Sequence, residues 1–336
     1  MCEPWGVPSP PPSRSHPVLR HTARAGGAVA LAGAAGLAWA AGVEVRWFAL
    51  RRATVPLLPP GHEPLRVLHI SDLHLTPGQH RKQAWLRDLA RLEPDLVVST
   101  GDHLAHRDAV GPVLASLDEL LDVPGVFVLG SNDYFEPKPR NPARYLLPDD
   151  GQRNIRSRKL PFGALRSGLE EHGWLDLSNR RASLSVRGTT FAFAGVDDPH
   201  LDYDDLAAVA GPADRSADVR MGVAHAPYLR VLDQFATDGY EVVLAGHTHG
   251  GQLCLPVKGA LVTNCDLDAG RVKGLHRHPA RSVPGDAGSS WLHVSAGLGT
   301  SPYAPVRFCC RPEATLLTFT ALDADPVPDP VPVPVS

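Results

Sequence analysis

Short apolar runs alternate with amphipathic stretches along the middle of the chain. The runs at Leu65–Ile70 (LRVLHI), Asp95–Thr100 (DLVVST) and Val126–Leu129 (VFVL) are apolar enough to form buried strands. The segments Gln83–Leu92 and Pro112–Leu121 between them predict helices. Strands that alternate with helices at this spacing indicate right-handed crossovers and a largely parallel sheet, so we expect an α/β fold.

The C-terminal half predicts a second group of strands. The elements expected there are a helix at Phe162–His172 and strands at Ala182–Val186, Thr189–Ala194, Met221–Ala224, Glu241–Ala245, Trp291–Ser295 and Ala314–Phe319. Between the two halves, residues 136–161 contain five prolines and an excess of Lys and Arg. This segment predicts an irregular surface loop, and its charge could attract phosphate or anionic lipid headgroups.

An uncharged apolar stretch, Ala25–Val43, lies near the N-terminus. Its length is close to the ~20 residues that a membrane-spanning helix needs, so we predict a membrane-associated protein with an anchor within residues 18–50. Basic residues on both flanks leave the orientation undecided. A signal peptide cleaved after Ala38-Trp39-Ala40 is one alternative, and a buried packing helix is another.

Proline-rich segments divide the rest of the chain. They predict a disordered leader at residues 1–17, a linker at residues 51–64 and a disordered tail at residues 323–336, which leaves a catalytic body at residues 65–322. A net charge of −3 over 336 residues disfavours a nucleic-acid partner. The five cysteines form no CxxC pair, so they predict neither a zinc site nor a disulfide framework.

Polar residues of one chemical kind follow the predicted strands. The fragments are Ser71-Asp72-Leu73-His74, Gly101-Asp102-His103, Gly130-Ser131-Asn132-Asp133, His225 and Gly246-His247-Thr248-His249-Gly250-Gly251-Gln252. Because the carboxyl ends of strands in an α/β sheet face one crevice, we expect these side chains to converge. Asp, Asn and His without a thiolate suit manganese, iron or zinc, and there are enough ligands for two divalent ions.

This ordered set of motifs resembles the calcineurin-like metallophosphoesterase superfamily over residues 65–320. The GHTHGGQ form and the apolar N-terminal segment are similar to bacterial membrane-associated phosphohydrolases related to UDP-2,3-diacylglucosamine hydrolase. The resemblance implies a four-layer α/β/β/α sandwich with a dinuclear metal centre. By position, Asp72, His74 and His249 would hold one ion, His225 and His247 would hold the other, and Asp102 would bridge them.

The third motif departs from the family pattern, which is Gly-Asn-His followed by Asp or Glu. In ungapped register Ser131 takes the Asn position and Asn132 takes the position of the leaving-group His. We assign Asn132 as the metal ligand because an amide oxygen is a better donor than a neutral hydroxyl, with Ser131 as the alternative. The missing imidazole is either replaced by His103 or His106, or not needed, if the leaving groups are acidic.

The resemblance therefore implies a phosphoesterase that hydrolyses phosphodiester or pyrophosphate bonds with a hydroxide activated by two metal ions. Lipid-linked phosphates become candidate substrates if the N-terminal helix anchors the protein. The competing interpretation is a non-catalytic metal-binding or regulatory protein of the same fold, and only the altered third motif motivates it. The oligomeric state does not follow from the sequence.

Overall fold

The structure, a computed structural model, describes residues 17–139, 153, 155–283 and 285–323, with side chains from residue 27 onward. Residues 1–16 of the predicted leader and residues 324–336 of the predicted tail lie outside the described residues. The same is true of residues 140–152 and 154 in the basic segment.

The first of two six-stranded sheets carries the early part of the chain. It contains β1 (Ala49–Leu58), β2 (Leu65–Ile70), β3 (Leu96–Ser99), β4 (Gly125–Phe127), β5 (Leu175–Asp176) and β14 (Glu313–Ala321), in the spatial order β1-β14-β2-β3-β4-β5. Strands β2 to β5 run parallel, as the sequence predicts, and β14 is antiparallel to β2.

The second sheet carries the later strands. It contains β6 (Arg180–Val186), β7 (Thr189–Gly195), β8 (Val219–Val223), β9 (Val242–Ala245), β12 (Gly274–His278) and β13 (Ser290–Val294), in the order β12-β13-β9-β8-β7-β6. A small hairpin, β10 (Cys254–Leu255) and β11 (Gly259–Ala260), follows the GHTHGGQ motif.

The described helices are α1 (Pro17–Gly42), α2 (His80–Asp88), α3 (Val110–Leu117), α4 (Ser131–Tyr134), α5 (Phe162–Glu171), α6 (Leu206–Val209) and α7 (Leu229–Asp238). Five of the described helices, α2, α3, α5, α6 and α7, cover the outer faces of the two sheets. Helices α2, α3 and α5 share a buried core with the first sheet, and α6 and α7 share one with the second. A third core, which includes Val67, Phe193 and Phe319, lies between the sheets. The four-layer α/β/β/α sandwich is confirmed.

The prediction of a linker at residues 51–64 is wrong for its first half. Strand β1 pairs in parallel with β14 from Ala49 to Leu58, with a bulge near its end. Pro56 indicates a linker because proline lacks an N–H for a sheet ladder. It is tolerated here since β1 is an edge strand.

Helix α1 contains the predicted apolar stretch. Residues Gly27–Arg46 are long and apolar enough to cross a membrane, with a mean hydropathy of 1.6, and only 11% of the window is buried. The exposed apolar side chains Val29, Leu31 and Leu37 would be unfavourable in water. The helix is therefore a candidate membrane span rather than a buried packing helix.

Candidate metal centre

The candidate ligands lie on loops that leave the carboxyl ends of strands in both sheets. Five of the candidate ligands have a left-handed backbone: Asp72 (φ 51°), His74 (φ 41°), Asp102 (φ 55°), His247 (φ 68°) and His249 (φ 50°). Such conformations are unfavourable for residues with a side chain and concentrate at functional sites. The sharp turns bring side chains from distant strands to one point.

Asp72, His74 and His249 form the first group of potential ligands. The Nε2 atoms of His74 and His249 lie 3.1 Å apart, and His249 Nε2 lies 3.7 Å from Asp72 Oδ1. Asp72 and His74 are buried, and His249 is nearly so. These are the three residues that the sequence assigns to one ion.

Asp72, Asp102 and His225 form the second group, so Asp72 belongs to both. Asp102 Oδ2 lies 3.4 Å from His74 Nε2 and 3.5 Å from His225 Nε2. Asp102 therefore lies between His74, from the first predicted ligand set, and His225, from the second. A carboxylate that bridges two ions would occupy such a position.

Backbone carbonyls orient three of the imidazoles. His225 Nδ1 donates to the carbonyl of Thr100 at 2.7 Å, and His249 Nδ1 donates to the carbonyl of Gly299 at 3.0 Å. His247 Nε2 lies 3.2 Å from the carbonyl of Asn264. Donation from one ring nitrogen leaves the lone pair on the other, which is how ligating histidines are usually held.

The donor set fits divalent metal ions. Two buried ring nitrogens, His74 Nδ1 and His225 Nε2, have no hydrogen-bond partner among the described residues. Burial raises the pKa of Asp72 to about 6 and lowers the pKa of His74 to about 4. Burial also disfavours the charged form of His225, but Asp102, Asp198 and Asp72 outweigh it and raise its pKa well above the usual range. These carboxylates create a negative potential that stabilises a cation.

His247 lies beside the second group of potential ligands but is not one of its three members. Its ring centroid is 5.2 Å from that of His225, and its backbone N–H donates to both carboxylate oxygens of Asp72 at 3.0 and 3.2 Å. The preceding residue, Gly246, has no room for a side chain, because a Cβ there would lie 2.7 Å from Asp72 Oδ2. The motif thus holds Asp72 through its backbone.

Asn132 contacts Asp102 directly. Its side-chain N–H donates to Asp102 Oδ2 and its backbone N–H donates to Asp102 Oδ1, both at 2.7 Å. The Ser131 hydroxyl lies 3.3 Å from the Asn132 amide nitrogen. Asn132 is therefore at the centre, and rotating its amide by 180° would present the oxygen instead of the nitrogen.

The structure does not bring His103 into the centre, and this placement argues against its predicted role as proton donor, which stays a prediction. The ring is fully buried, with Nδ1 at 3.0 Å from Asp133 Oδ2 and Nε2 at 2.7 Å from Ser99 Oγ. Asp133 also accepts the backbone N–H groups of Gly130, Asp102, His103 and Leu104. Together His103 and Asp133 tie the second motif to the third.

Arg307 stabilises the loops that carry the candidate ligands, a role that the sequence did not predict. Its guanidinium is fully buried and donates to the carbonyls of His249, Gly297 and Gly299. Sequence separation hid this role, because Arg307 follows the last motif by more than fifty residues.

A polar group beside His247 was also missed. The ring centroid of His200 lies 4.4 Å from that of His247, and the Tyr228 hydroxyl lies 3.1 Å from His200 Nδ1. Arg153 donates to the same hydroxyl at 3.1 Å. Burial, with His247 and Arg153 nearby, lowers the pKa of His200, so its imidazole is neutral.

Comparisons with known proteins point to one family. The family model for calcineurin-like phosphoesterases matches residues 65–251. The chain is 28% identical to the uncharacterized protein YpbG of Bacillus subtilis, over 79% of this chain and 88% of that protein. It is 23% identical to phosphodiesterase YaeI of Escherichia coli, over 82% of this chain and 89% of that protein. It is 26% identical to a bovine transmembrane protein with metallophosphoesterase domain, over 79% of this chain and 55% of that protein.

Proposed function

Since the chain belongs to the calcineurin-like phosphoesterase family and is a hydrolase of phosphoric esters, we propose that it cleaves phosphodiester or pyrophosphate bonds. The observation that carries the proposal is the pair of overlapping carboxylate and imidazole groups that share Asp72. The similarity to a protein named phosphodiesterase YaeI supports the diester class.

Two divalent ions, manganese, iron or zinc, fit this donor set. Asp72, His74 and His249 would hold one ion, and His225, His247 and Asn132 would hold the other. Asp102 would contact both. When bound, the ions acidify water to hydroxide and neutralise charge on the phosphate oxygens. Thr100 and Gly299 contribute through their carbonyls, which keep the imidazoles of His225 and His249 in one tautomer.

Asn132 determines which leaving groups the site handles well. An amide does not donate a proton as a general acid at neutral pH, and His103 is held in the core by Asp133 and Ser99. The site should therefore favour esters whose leaving groups are acidic enough to depart without protonation. Arg153 and Tyr228 lie beside His200 next to the second group, where they can contact an anionic substrate.

Lipid-linked phosphates are the substrate class that we propose, because the apolar helix ends close to the centre. The backbone N–H of Arg307 donates to the carbonyl of Ala40 at 3.1 Å, and its side chain donates to the carbonyl of His249 at 3.1 Å. Trp39 and Trp47 are partly exposed beside this contact, as expected of aromatic residues at a membrane interface. A helix that spans the bilayer would hold the centre near the headgroup layer. The narrower resemblance to UDP-2,3-diacylglucosamine hydrolase stays a prediction.

Turnover of bis(p-nitrophenyl) phosphate distinguishes the proposed hydrolase from a non-catalytic metal-binding protein. Only the altered third motif motivates that alternative. We expect turnover with manganese that a chelator abolishes and that Asp102→Asn lowers about 1,000-fold or more. Asp108→Asn removes an exposed carboxylate six residues away and serves as the matched control. Metal binding without turnover would support the non-catalytic alternative, and turnover that survives Asp102→Asn would point to a contaminant.

A further inference from the structure

An exposed apolar hairpin follows the GHTHGGQ motif. Its strands, β10 and β11, are joined by a tight turn in which the Lys258 N–H donates to the carbonyl of Pro256 at 2.9 Å. Val257, at the tip of the turn, is fully exposed, and Leu255 and Leu261 are 43% and 40% exposed. Contiguous apolar surface of this kind is unfavourable in water and marks a contact with another protein or a membrane.

The backbone of the turn is also unfavourable for valine. Val257 has a φ of 72°, in the left-handed region, where a β-branched residue is an outlier. Glycine, asparagine or aspartate would suit this backbone better. The backbone and the exposure of the side chain therefore both disfavour valine in water, and burial of the side chain in an apolar phase would offset that cost.

The hairpin is joined to the end of the candidate membrane span. The N–H of Phe308 donates to the carbonyl of Gln252 at 3.1 Å, and the carbonyl of Phe308 accepts the N–H of Cys254 at 2.9 Å. The N–H of the neighbouring residue, Arg307, donates to the carbonyl of Ala40 in α1 at 3.1 Å. One short segment therefore contacts both the end of α1 and the base of the hairpin.

The composition around the hairpin suits a lipid surface with anionic headgroups. Residues 250–265 and 297–312 contain no Asp or Glu. Lys258 is exposed at the turn, and Tyr303, in the second of these segments, is 48% exposed. Tyrosine and lysine beside apolar side chains are typical of a membrane–water interface, and the lack of carboxylates avoids repulsion by anionic lipids.

We propose that the β10–β11 hairpin is a second membrane contact, in which Leu255, Val257 and Leu261 enter the interface of the bilayer that α1 spans. Continuity with α1 and the absence of carboxylates favour lipid over a second copy of the chain as the occupant. Two contacts would prevent the catalytic body from rotating about α1 and would hold the metal centre near the headgroups. The inference rests on the proposed anchoring by α1 and supports the proposed lipid-linked substrates.

A fluorescent label at the turn tests this contact in the full-length protein, reconstituted in vesicles of phosphatidylcholine and phosphatidylglycerol. Val257→Cys is labelled with bimane after Cys2 and the exposed Cys309 are replaced by serine. Insertion at the interface should shift the emission to shorter wavelengths, and phosphatidylcholine brominated on its upper acyl carbons should quench it at least about twofold.

Val283→Cys is the matched control, because Val283 is an exposed valine on the loop between β12 and β13. That loop leads into the amino end of β13, whereas the ligand loops leave the carboxyl ends of the strands. The label at Val283 should therefore stay in water and remain unquenched by brominated lipid.

A charge at the tip gives a second test. Val257→Asp should reduce the quenching of a label on Leu255→Cys, because a carboxylate is costly in hydrocarbon, and Val283→Asp should leave it unchanged. Aspartate tolerates the left-handed backbone better than valine, so the melting temperature should not fall. Quenching at Leu255 that Val257→Asp leaves unchanged would contradict insertion of the tip.

The remaining outcomes separate the possible occupants. A label at Val257 that stays in water while the protein floats with the vesicles would overturn the proposal. A label shielded from water but not quenched by brominated lipid would also overturn it and assign the surface to a second copy or another protein. Protein that does not float with the vesicles would overturn the anchoring itself. None of these readouts requires turnover, so failure of the proposed hydrolase activity would leave them decisive.

Discussion

His103 contributes to the centre without facing it. Its ring joins Asp133 to Ser99 in the core, while its neighbour Asp102 faces the ligands. The left-handed backbone of Asp102 turns the chain so that consecutive side chains point to opposite surroundings. The role of His103 is therefore to position the loops of the second and third motifs.

His103→Ala should lower stability rather than remove a proton donor. The loss of two buried hydrogen bonds should reduce the free energy of unfolding by ~2–4 kcal/mol. Residual activity should fall by the same factor on alkyl and p-nitrophenyl diesters. Thermal unfolding and kinetics with both substrates measure this, with His106→Ala, an exposed histidine on the same loop, as control. A loss of ~100-fold on alkyl esters alone, at unchanged melting temperature, would restore the proton-donor role.

Asn132→His should restore the imidazole that the family pattern carries. The ratio of kcat/KM for alkyl diesters to that for p-nitrophenyl diesters should rise about 10-fold or more, since only alkyl leaving groups need protonation. The ratio cancels any common loss of metal. An unchanged ratio would mean that this position does not reach the leaving group.

The clustering of the candidate ligands could be predicted from sequence, but the residues that support them could not. Ordered Asp and His motifs at strand ends identify Asp72 and His225 because the topology of parallel strands brings their loops together. Arg307, in contrast, supports the centre through hydrogen bonds to the carbonyls of His249 and Gly299. Such contacts depend on tertiary packing, and no local pattern records them.

At the scale of elements, β1 shows where local signals fail. Pro56 and Pro59 indicate a linker, yet β1 pairs with β14 along most of its length and extends the first sheet. Pro59 follows the last residue of β1, and Pro56 is tolerated because β1 is an edge strand. The segment also contributes Glu44, just before β1, which accepts the backbone N–H of Cys310. The body of the enzyme therefore includes residues before Leu65.

Truncation tests this boundary. A chain that begins at Trp39 keeps Ala40, Glu44 and β1, so it should remain monodisperse and active. A chain that begins at Leu65 loses β1 and bares the edge of β14, so it should melt at a lower temperature or aggregate. Size-exclusion chromatography and thermal unfolding compare the two, and equal melting temperatures would mean that β1 adds nothing to the fold.

At the scale of the whole molecule, Arg307 connects α1 to the candidate metal centre. Its backbone N–H donates to the carbonyl of Ala40, and its side chain donates to the carbonyl of His249. The full-length protein should therefore sediment with membranes after a carbonate wash, whereas the chain that begins at Trp39 should stay in the supernatant. N-terminal sequencing of the sedimented protein is the control. A mature protein that begins at Ala41 would replace the anchor with a cleaved signal peptide.

Metal stoichiometry tests the central claim most directly. Elemental analysis of protein loaded with manganese or iron, after removal of unbound metal, should give close to two ions per chain. Asp102→Asn should lower the affinity for both ions, because Asp102 contacts an imidazole of each set. Asp108→Asn should still bind two. Wild-type protein that retains no metal after loading, or Asp102→Asn protein that still binds two ions as tightly, would contradict the dinuclear centre.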